Sequence, residues 1–246
     1  QAVSGAKLHT LTCDLGDLNS VKSAAQKFLK EEKKLDILIN NAGIMALPER
    51  RATEQGLEQQ VGVCHVGHHY LFKLLKPALS AAATPTTPSR VIALSSSGHR
   101  FHKMTNLLQT GRLETEPYDP WICYGNAKCS NMLFAKGLHD QYYENEHIAG
   151  FSVMPGGIHT GLQEHVDWYT MLKWTIVTPF FFKSTSQGAA TSLICATKAD
   201  PKSDGGKYFD NCKATDALEK VEKEVGKDAA SLLWEKTEKV LEDVGF

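Results

Sequence analysis

Two residues of the segment YGNAK, Tyr124 and Lys128, could move a proton together. They lie four positions apart, so on a helix both side chains point to the same face, one turn from each other. A free tyrosine ionises near pH 10, and a neighbouring cation favours its phenolate form. Such a pair can exchange a proton near neutral pH. The same spacing recurs at Tyr169 and Lys173, so the surroundings must identify the reactive pair.

The elements around each pair can be predicted from periodicity. Apolar runs typical of buried strands occur at LHTLTCDL (8–15), LDILI (35–39), RVIAL (90–94) and AGFSVM (149–154). Helical patterns lie between them, at 16–34, at 54–83 and around Tyr124. This alternation predicts an α/β fold, with a doubly wound, mostly parallel sheet and helices on both of its faces.

Turn residues follow three of the predicted strands: NNAG after LDILI, SSSG after RVIAL and PGG after AGFSVM. Ligands of doubly wound sheets bind at the carboxyl ends of the strands. We therefore expect the three turns to converge on one crevice, with Tyr124 and Lys128 on the helix between the last two. No such cluster surrounds Tyr169 and Lys173, which we interpret as a packed aromatic residue and a solvated lysine.

Composition and charge argue against several classes of protein. The formal net charge is −1 over 246 residues, without long runs of one sign, so binding to nucleic acid or to an anionic membrane is not indicated. Six scattered cysteines without a CxxC pair are typical of a reducing compartment. We predict one domain over residues 1–246 in the cytoplasm, with a homo-oligomer left open. The first residue is Gln1, so a targeting or anchor segment could precede it.

The order of NNAG, a strand-end serine, YxxxK and PGxxxT resembles the short-chain dehydrogenase/reductase family. In finer detail CDLGDLNSV, HVGHHYL, YxxAKxxN and GKYFxxC with LWEKTEKVL resemble the branch that contains retinol dehydrogenases and the WW-domain oxidoreductase. The similarity spans nearly the whole chain. It implies an enzyme that interconverts an alcohol and a carbonyl by hydride transfer with NAD or NADP.

The resemblance also implies a role for each motif. Tyr124 would move the proton, Lys128 would assist it and bind the nicotinamide ribose, and Ser96 would hold the substrate oxygen. The further cofactor contacts that the resemblance implies are Asp14, Leu15, Asn41, Ala42, Gly43, Pro155, Gly156, Ile158 and Thr160. For Asp14 a simpler interpretation is equally favoured, in which it only caps the following helix. Ordinary turns are the corresponding alternative for NNAG, SSSG and PGG.

Cys64 departs from the family pattern. Related sequences have an asparagine here, the fourth catalytic member, and the kinked helix presents a backbone carbonyl to a water that relays protons to the lysine. A thiol is a weaker hydrogen-bond donor than an amide. If the carbonyl alone holds the water, activity survives at a reduced rate; if the side chain holds the kink, the relay fails. A second hypothesis is therefore a catalytically silent binding or regulatory remnant of the family.

Three histidines, His65, His68 and His69, suggest a third hypothesis, a metal site or a Cys-His hydrolase. Residues three apart share a helix face, as metal ligands can. However, no acidic residue lies at a fitting spacing, and the adjacent Cys64 would point elsewhere. We predict that no metal binds here.

The most aromatic segment is WYTMLKWTIVTPFFF, residues 168–182. Its position after Thr160 matches the substrate-covering segment of the family. Its apolar character favours a bulky, lipophilic alcohol or carbonyl such as a retinoid, a steroid or a fatty aldehyde. A plain core helix is the alternative.

The front of the chain lacks a glycine-rich turn. The family has GxxxGxG between its first strand and first helix, where backbone N–H groups meet the pyrophosphate. Only 13 residues precede Asp14, and they do not contain this pattern. We therefore expect a family member without its first βαβα unit and with poor cofactor affinity. In the doubly wound strand order, the missing strands would separate LHTLTC from LDILI and leave a gap in the sheet. We also predict that LHTLTC pairs with LDILI and closes this gap.

Overall fold

The computed structural model describes residues 5–104, 117–158 and 182–246. Its strands are β1 (Ile37–Asn40), β2 (Ser89–Leu94), β3 (Ile148–Met154), β4 (Gly157–Ile158), β5 (Phe182–Lys183), β6 (Tyr208–Asp210) and β7 (Lys213–Thr215). Its α-helices are α1 (Leu18–Glu31), α2 (Gln59–Val61), α3 (Gly67–Ala82), α4 (Pro120–Glu146), α5 (Thr185–Thr197), α6 (Pro201–Asp204), α7 (Ala217–Val225) and α8 (Ala229–Asp243). A π-helical turn, Gly62–Val66, joins α2 to α3, and Ser97–Phe101 is a 3-10 helix.

The main sheet has the order β1-β2-β3-β6-β7. Its first four strands are parallel, and β7 returns antiparallel to β6. Parallel neighbours require crossover connections, which the helices supply. Three predicted strands, at 35–39, 90–94 and 149–154, are confirmed as β1, β2 and β3. This arrangement confirms the predicted α/β sheet.

Successive residues of β2 face opposite sides of the sheet. Val91 and Ala93 pack in a cluster with side chains of α3 and α4, including Phe72 and Phe134. Ile92 and Leu94 pack in a different cluster, with side chains of β3, β6 and α5. A strand that is buried on both faces needs the continuous apolar run that β2 has. Helices therefore cover both faces of the sheet, as predicted.

Local signals define the start of α4, the helix that carries Tyr124 and Lys128. The carboxylate of Asp119 accepts hydrogen bonds from the backbone N–H groups of Trp121 (2.8 Å) and Ile122 (2.9 Å). Pro120 follows as the first helical residue, where its missing N–H costs nothing.

Within the described ranges, no helix is both long enough and apolar enough to cross a bilayer.

The predicted pairing of LHTLTC with LDILI is wrong. Residues 8–13 form no strand, and β1 is the edge of the sheet, hydrogen-bonded to β2. A cleft of about 740 Å³, lined by residues of 8–11 and of 35–37, lies where the pairing was predicted. Leu8 is 89% exposed and Ile39 is 42% exposed.

The reason lies at the start of α1. The N–H of Asp14 donates to Ser20 Oγ at 2.9 Å, and Cys13 and Leu15 pack against the core, so the end of the segment is attached to this helix. Strand pairing needs a separation of about 4.8 Å. With α1 packed against α3, the segment stays across a cleft from β1.

Candidate active site

Tyr124 and Lys128 lie on one face of α4, as predicted. Both are buried, with exposures of 3% and 4%. The Lys128 Nζ is 5.6 Å from the centroid of the Tyr124 ring. The ring packs against Met45 and Ala46, which follow β1 in the chain. The helix therefore carries a phenol and an ammonium side by side towards the strand ends.

The carboxyl end of β2 holds Lys128 in place. Its Nζ donates to the carbonyl oxygen of Leu94 at 3.2 Å. Asn131 Nδ2 donates to the same oxygen at 2.9 Å. The hydroxyl of Ser95 in turn donates to the backbone carbonyl of Lys128 at 2.7 Å. A buried cation is stable only when it has such partners.

Ser96 lies at the same strand end, beside the tyrosine. Its Oγ accepts from the N–H of Gly98 at 3.1 Å, and its carbonyl oxygen lies 2.6 Å from His99 Nδ1. A Cβ at Gly98 would lie 2.6 Å from Tyr124 Cε1 and 3.5 Å from Ser96 Oγ. The serine hydroxyl and the tyrosine ring therefore flank the bare backbone of one glycine.

The NNAG turn after β1 reaches the same place from the other side. Asn41 and Ala42 are exposed, and a Cβ at Gly43 would lie 3.3 Å from Lys128 Nζ. The buried amide at this strand end belongs to Asn40, which is 2% exposed. Neither atom of that amide has a hydrogen-bond partner in the described part of the chain. The sequence analysis named Asn41, which is exposed, as a cofactor contact and did not single out Asn40.

Cys64 lies within the π-helical turn, which forms here although the asparagine of related sequences is absent. Its thiol donates to the carbonyl oxygen of Ile44 and accepts from the N–H of Ile44, both at 3.4 Å. Its carbonyl oxygen lies 3.1 Å from His68 Nδ1. A cysteine is therefore compatible with the π-helical turn here, and it ties the turn after β1 to the helix. π-helical turns are frequent at functional sites.

The three histidines have separate partners. His65 Nε2 is 2.9 Å from Thr237 Oγ1, and His69 Nε2 is 2.8 Å from Glu238 Oε1. These contacts join the π-helical turn and α3 to α8. Burial is the largest effect on both His65 and His68, and it lowers the pKa of His65 to about 3 and that of His68 to about 4. Among the residues described, no group of three or more His, Cys, Asp or Glu side chains could hold a metal ion.

The capping interpretation of Asp14 is wrong. The N-cap of α1 is Asp17, whose carboxylate accepts from the N–H of Asn19 at 2.9 Å. Asp14 instead accepts from the N–H of Gly16 at 2.8 Å, within the turn before the helix. Asp14 is exposed and Leu15 is half-buried, so a planar ligand could reach both residues.

The PGG turn follows β3 at the same edge of the sheet. Gly156 has φ +96°, a left-handed conformation that favours glycine. The carbonyl oxygen of Pro155 accepts from Lys183 Nζ at 3.4 Å, and Ile158 pairs with Lys183 in the two-stranded sheet. The other predicted positions in this part of the chain lie outside the described residues: Thr160, Tyr169, Lys173 and the aromatic stretch up to residue 181.

Comparisons with known proteins agree with this geometry. The family described as short chain dehydrogenase matches residues 1–105. The chain is 39% identical over 209 residues to short-chain dehydrogenase/reductase prx1 of Penicillium roqueforti, covering 84% of this chain and 60% of the relative. It is 38% identical over 205 residues to retinol dehydrogenase 12 of Mus musculus, covering 81% of this chain and 60% of the relative. The chain thus spans about 60% of the length of these relatives.

A solved structure shares the fold as well. The crystal structure of an uncharacterized protein from Mycobacterium paratuberculosis superimposes with a TM-score of 0.66 and 26% identity, covering 94% of this chain and 74% of that one. The motif order, the sheet and the sequence relatives all point the same way. The chain belongs to the short-chain dehydrogenase/reductase family and resembles its retinol dehydrogenases.

Proposed function

We propose that this chain is an oxidoreductase that interconverts an alcohol and a carbonyl with NAD or NADP. The observation that carries the proposal is the convergence of Ser96, Tyr124 and Lys128 at the carboxyl end of β2. The serine and the tyrosine flank Gly98, and the lysine lies 5.6 Å from the tyrosine ring. These are the residue types that acid–base chemistry at a substrate oxygen requires. Membership of the family supports the same assignment.

The strand ends fit the nicotinamide part of the cofactor. At Gly43 a Cβ would crowd Cys64 Sγ, at 3.1 Å, and Lys128 Nζ, at 3.3 Å, so a glycine lets the backbone of this turn approach the lysine closely. Lys128, Gly43 and the turn at Pro155 and Gly156 would hold the nicotinamide and its ribose. When bound, this group supplies or accepts the hydride.

The adenosine and phosphate parts have fewer partners. Asp14 and Leu15 would contact the adenine, and Asn41 and Ala42 would lie near its ribose. The residues before Asp14 include one glycine, Gly5, so they cannot form a glycine-rich phosphate-binding turn. We therefore propose that the 246-residue chain binds NAD or NADP weakly.

The chain's own residues account for the proton transfer. Since Ser96 Oγ uses a lone pair to accept from the Gly98 N–H, its own hydrogen can be donated to a substrate oxygen. Tyr124 would give a proton to that oxygen during reduction and take it back during oxidation. Lys128 carries its Nζ on the same face of α4, 5.6 Å from the centroid of the Tyr124 ring, and would assist this transfer.

Apolar side chains adjoin the tyrosine, and they support a lipophilic substrate. Met45, Ala46 and Tyr124 form one apolar cluster, against which Trp121 packs. Phe101 is 52% exposed, and the centroid of its ring lies 6.0 Å from that of the Trp121 ring. Together with the similarity to retinol dehydrogenases, these side chains favour a retinoid, a steroid or a fatty aldehyde and its alcohol. Apolar side chains around a few polar groups are typical of such sites.

The test combines cofactor titration with turnover. NADPH and NADH are titrated by fluorescence, and oxidation of retinol is compared with that of ethanol in the wild type and in Tyr124→Phe. We expect Tyr124→Phe to bind the cofactor as the wild type does but to lose turnover, and retinol to be preferred. Turnover that is unchanged in Tyr124→Phe would refute the assignment of the proton donor.

Tyr118→Phe is the matched control. Tyr118 precedes the same helix, its hydroxyl donates to the carbonyl of Leu47 at 2.8 Å, and burial raises its pKa to about 12. We expect this variant to keep its turnover, because the Tyr118 phenol of the wild type stays neutral and has no part in the proton transfer.

A binding or regulatory role without catalysis is the second candidate. Cys64 at the family's asparagine position favours it. If neither NADPH nor NADH binds at millimolar concentration, this second candidate replaces the first.

A further inference from the structure

Asn131 is the last residue of the YxxAKxxN segment and has no part in the mechanism above. It is 2% exposed and lies on α4, three residues after Lys128, so both side chains share a helix face. Its Nδ2 and the Lys128 Nζ donate to one oxygen, that of Leu94, at 2.9 and 3.2 Å. Two donors from one helix thus meet on the last carbonyl of β2.

A carbonyl oxygen has two lone pairs, so these two donors together satisfy it. In the described part of the chain, this oxygen is the only hydrogen-bond acceptor of Lys128 Nζ. A buried ammonium stays within hydrogen-bond distance of its acceptor, because an unpaired buried charge is costly. The side of the Leu94 oxygen that Asn131 occupies therefore limits where the ammonium can lie.

We propose that Asn131 is a positioning residue for Lys128. By taking one lone pair of the Leu94 oxygen, its amide confines the ammonium to the other, on the side of Tyr124 and Gly43. Without the amide, Lys128 can move across the carbonyl and away from the tyrosine. A misplacement of about 1 Å in an active site can cost about a hundredfold in rate.

The competing interpretation is that Asn131 only joins α4 to β2. In that case its loss would lower stability and leave the environment of Lys128 unchanged. Asn126 offers a matched control, because it lies on the same helix, is 1% exposed and accepts from the N–H of Lys103 at 2.8 Å. Its hydrogen bond does not involve Lys128 or Leu94.

The test measures the NMR signal of Lys128 directly, without any cofactor. The chain is labelled with ¹³Cε-lysine, and the Lys128 signal in the NMR spectrum is assigned by its loss in Lys128→Arg. We expect the signal to shift in Asn131→Leu and to stay in place in Asn126→Leu, while thermal unfolding shows similar losses in both. Asn131→Asp, which keeps the volume, is the second variant if Asn131→Leu does not fold. An unmoved Lys128 signal in a folded Asn131 variant would overturn the proposal.

A kinetic measurement, which rests on the proposed function, completes the test. We expect Asn131→Leu to lower kcat by at least about tenfold relative to Asn126→Leu. If both variants have equal kcat in an active enzyme, the positioning role is refuted. A shifted Lys128 signal in a chain without turnover would support the positioning role and count against the oxidoreductase function.

Discussion

Lowering the pH from 7 to 5 should destabilise this protein by at least about 4 kcal/mol, because His65 and His68 are buried and resist protonation. Burial lowers the pKa of His65 to about 3 and that of His68 to about 4. In the unfolded chain both rings have the ordinary value near 6.5. Below pH 6.5 the unfolded chain therefore takes up protons that the folded chain does not.

The sign and the window follow from these values. The folded state keeps its full stability above pH 6.5 and loses it as the pH falls towards 4. Each pKa unit is worth about 1.4 kcal/mol, so each ring contributes about 2 kcal/mol between pH 7 and pH 5. Glu238, whose pKa its hydrogen bond to His69 lowers to about 2, adds a loss only below about pH 4.5. The sum is a large part of the 5–15 kcal/mol that a typical domain has.

The assay is urea unfolding at pH 7, 6 and 5, with His65→Phe as the perturbation. This change removes one titrating ring, and Thr237 keeps its own hydrogen bond to the Leu233 carbonyl at 2.9 Å. We expect the loss between pH 7 and pH 5 to shrink by about 2 kcal/mol. The control is His9→Gln, at an exposed position, which should leave the loss unchanged.

The result that would refute this reasoning is equal pH dependence in His65→Phe and the parent. It would mean that the buried ring takes up its proton at the same pH in the folded and the unfolded chain. Unfolding must be reversible and two-state at each pH for the comparison to hold.

Three further predictions concern the site and the cleft. Gly98→Ala places a Cβ 2.6 Å from the Tyr124 ring, so steady-state kinetics should show a loss of about a hundredfold in kcat with unchanged circular dichroism; a near-normal kcat contradicts the placement of the ring. Cys64→Ala removes both contacts with Ile44 and should lower the free energy of unfolding in urea by on the order of 1–3 kcal/mol. Cys64→Asn should lower it less, because an amide can both donate and accept. Equal losses in the two variants would show that these hydrogen bonds are unimportant. Fusing a family member's glycine-rich βαβα segment ahead of residue 1 should strengthen NADPH binding at least about tenfold in fluorescence titration. The added segment should also cover the exposed side chain of Ile39. An unchanged affinity would contradict the explanation of weak binding.

The main elements of the fold could be predicted because their signals are local. An apolar run that ends in turn residues is a strand of a parallel sheet wherever it lies, and β1, β2 and β3 follow that rule. The face shared by Tyr124 and Lys128 follows from helix geometry alone. The prediction failed for LHTLTC, because pairing depends on where α1 packs, which no local pattern encodes. The assignment of residues 1–246 to a single domain stays a prediction.

The sequence by itself determined the alternation of strands and helices, the motif order and the shared helix face of Tyr124 and Lys128, because period and spacing are properties of neighbouring residues. Only the tertiary structure decided which distant groups meet. Ile44 bonds to Cys64 across 20 positions, and His65 contacts Thr237 across 172. The carbonyl of Leu94 came to serve both Lys128 and Asn131 because β2 ends beneath α4. Such contacts arise when the core closes and each buried polar group must take a partner within reach, wherever in the chain that partner lies.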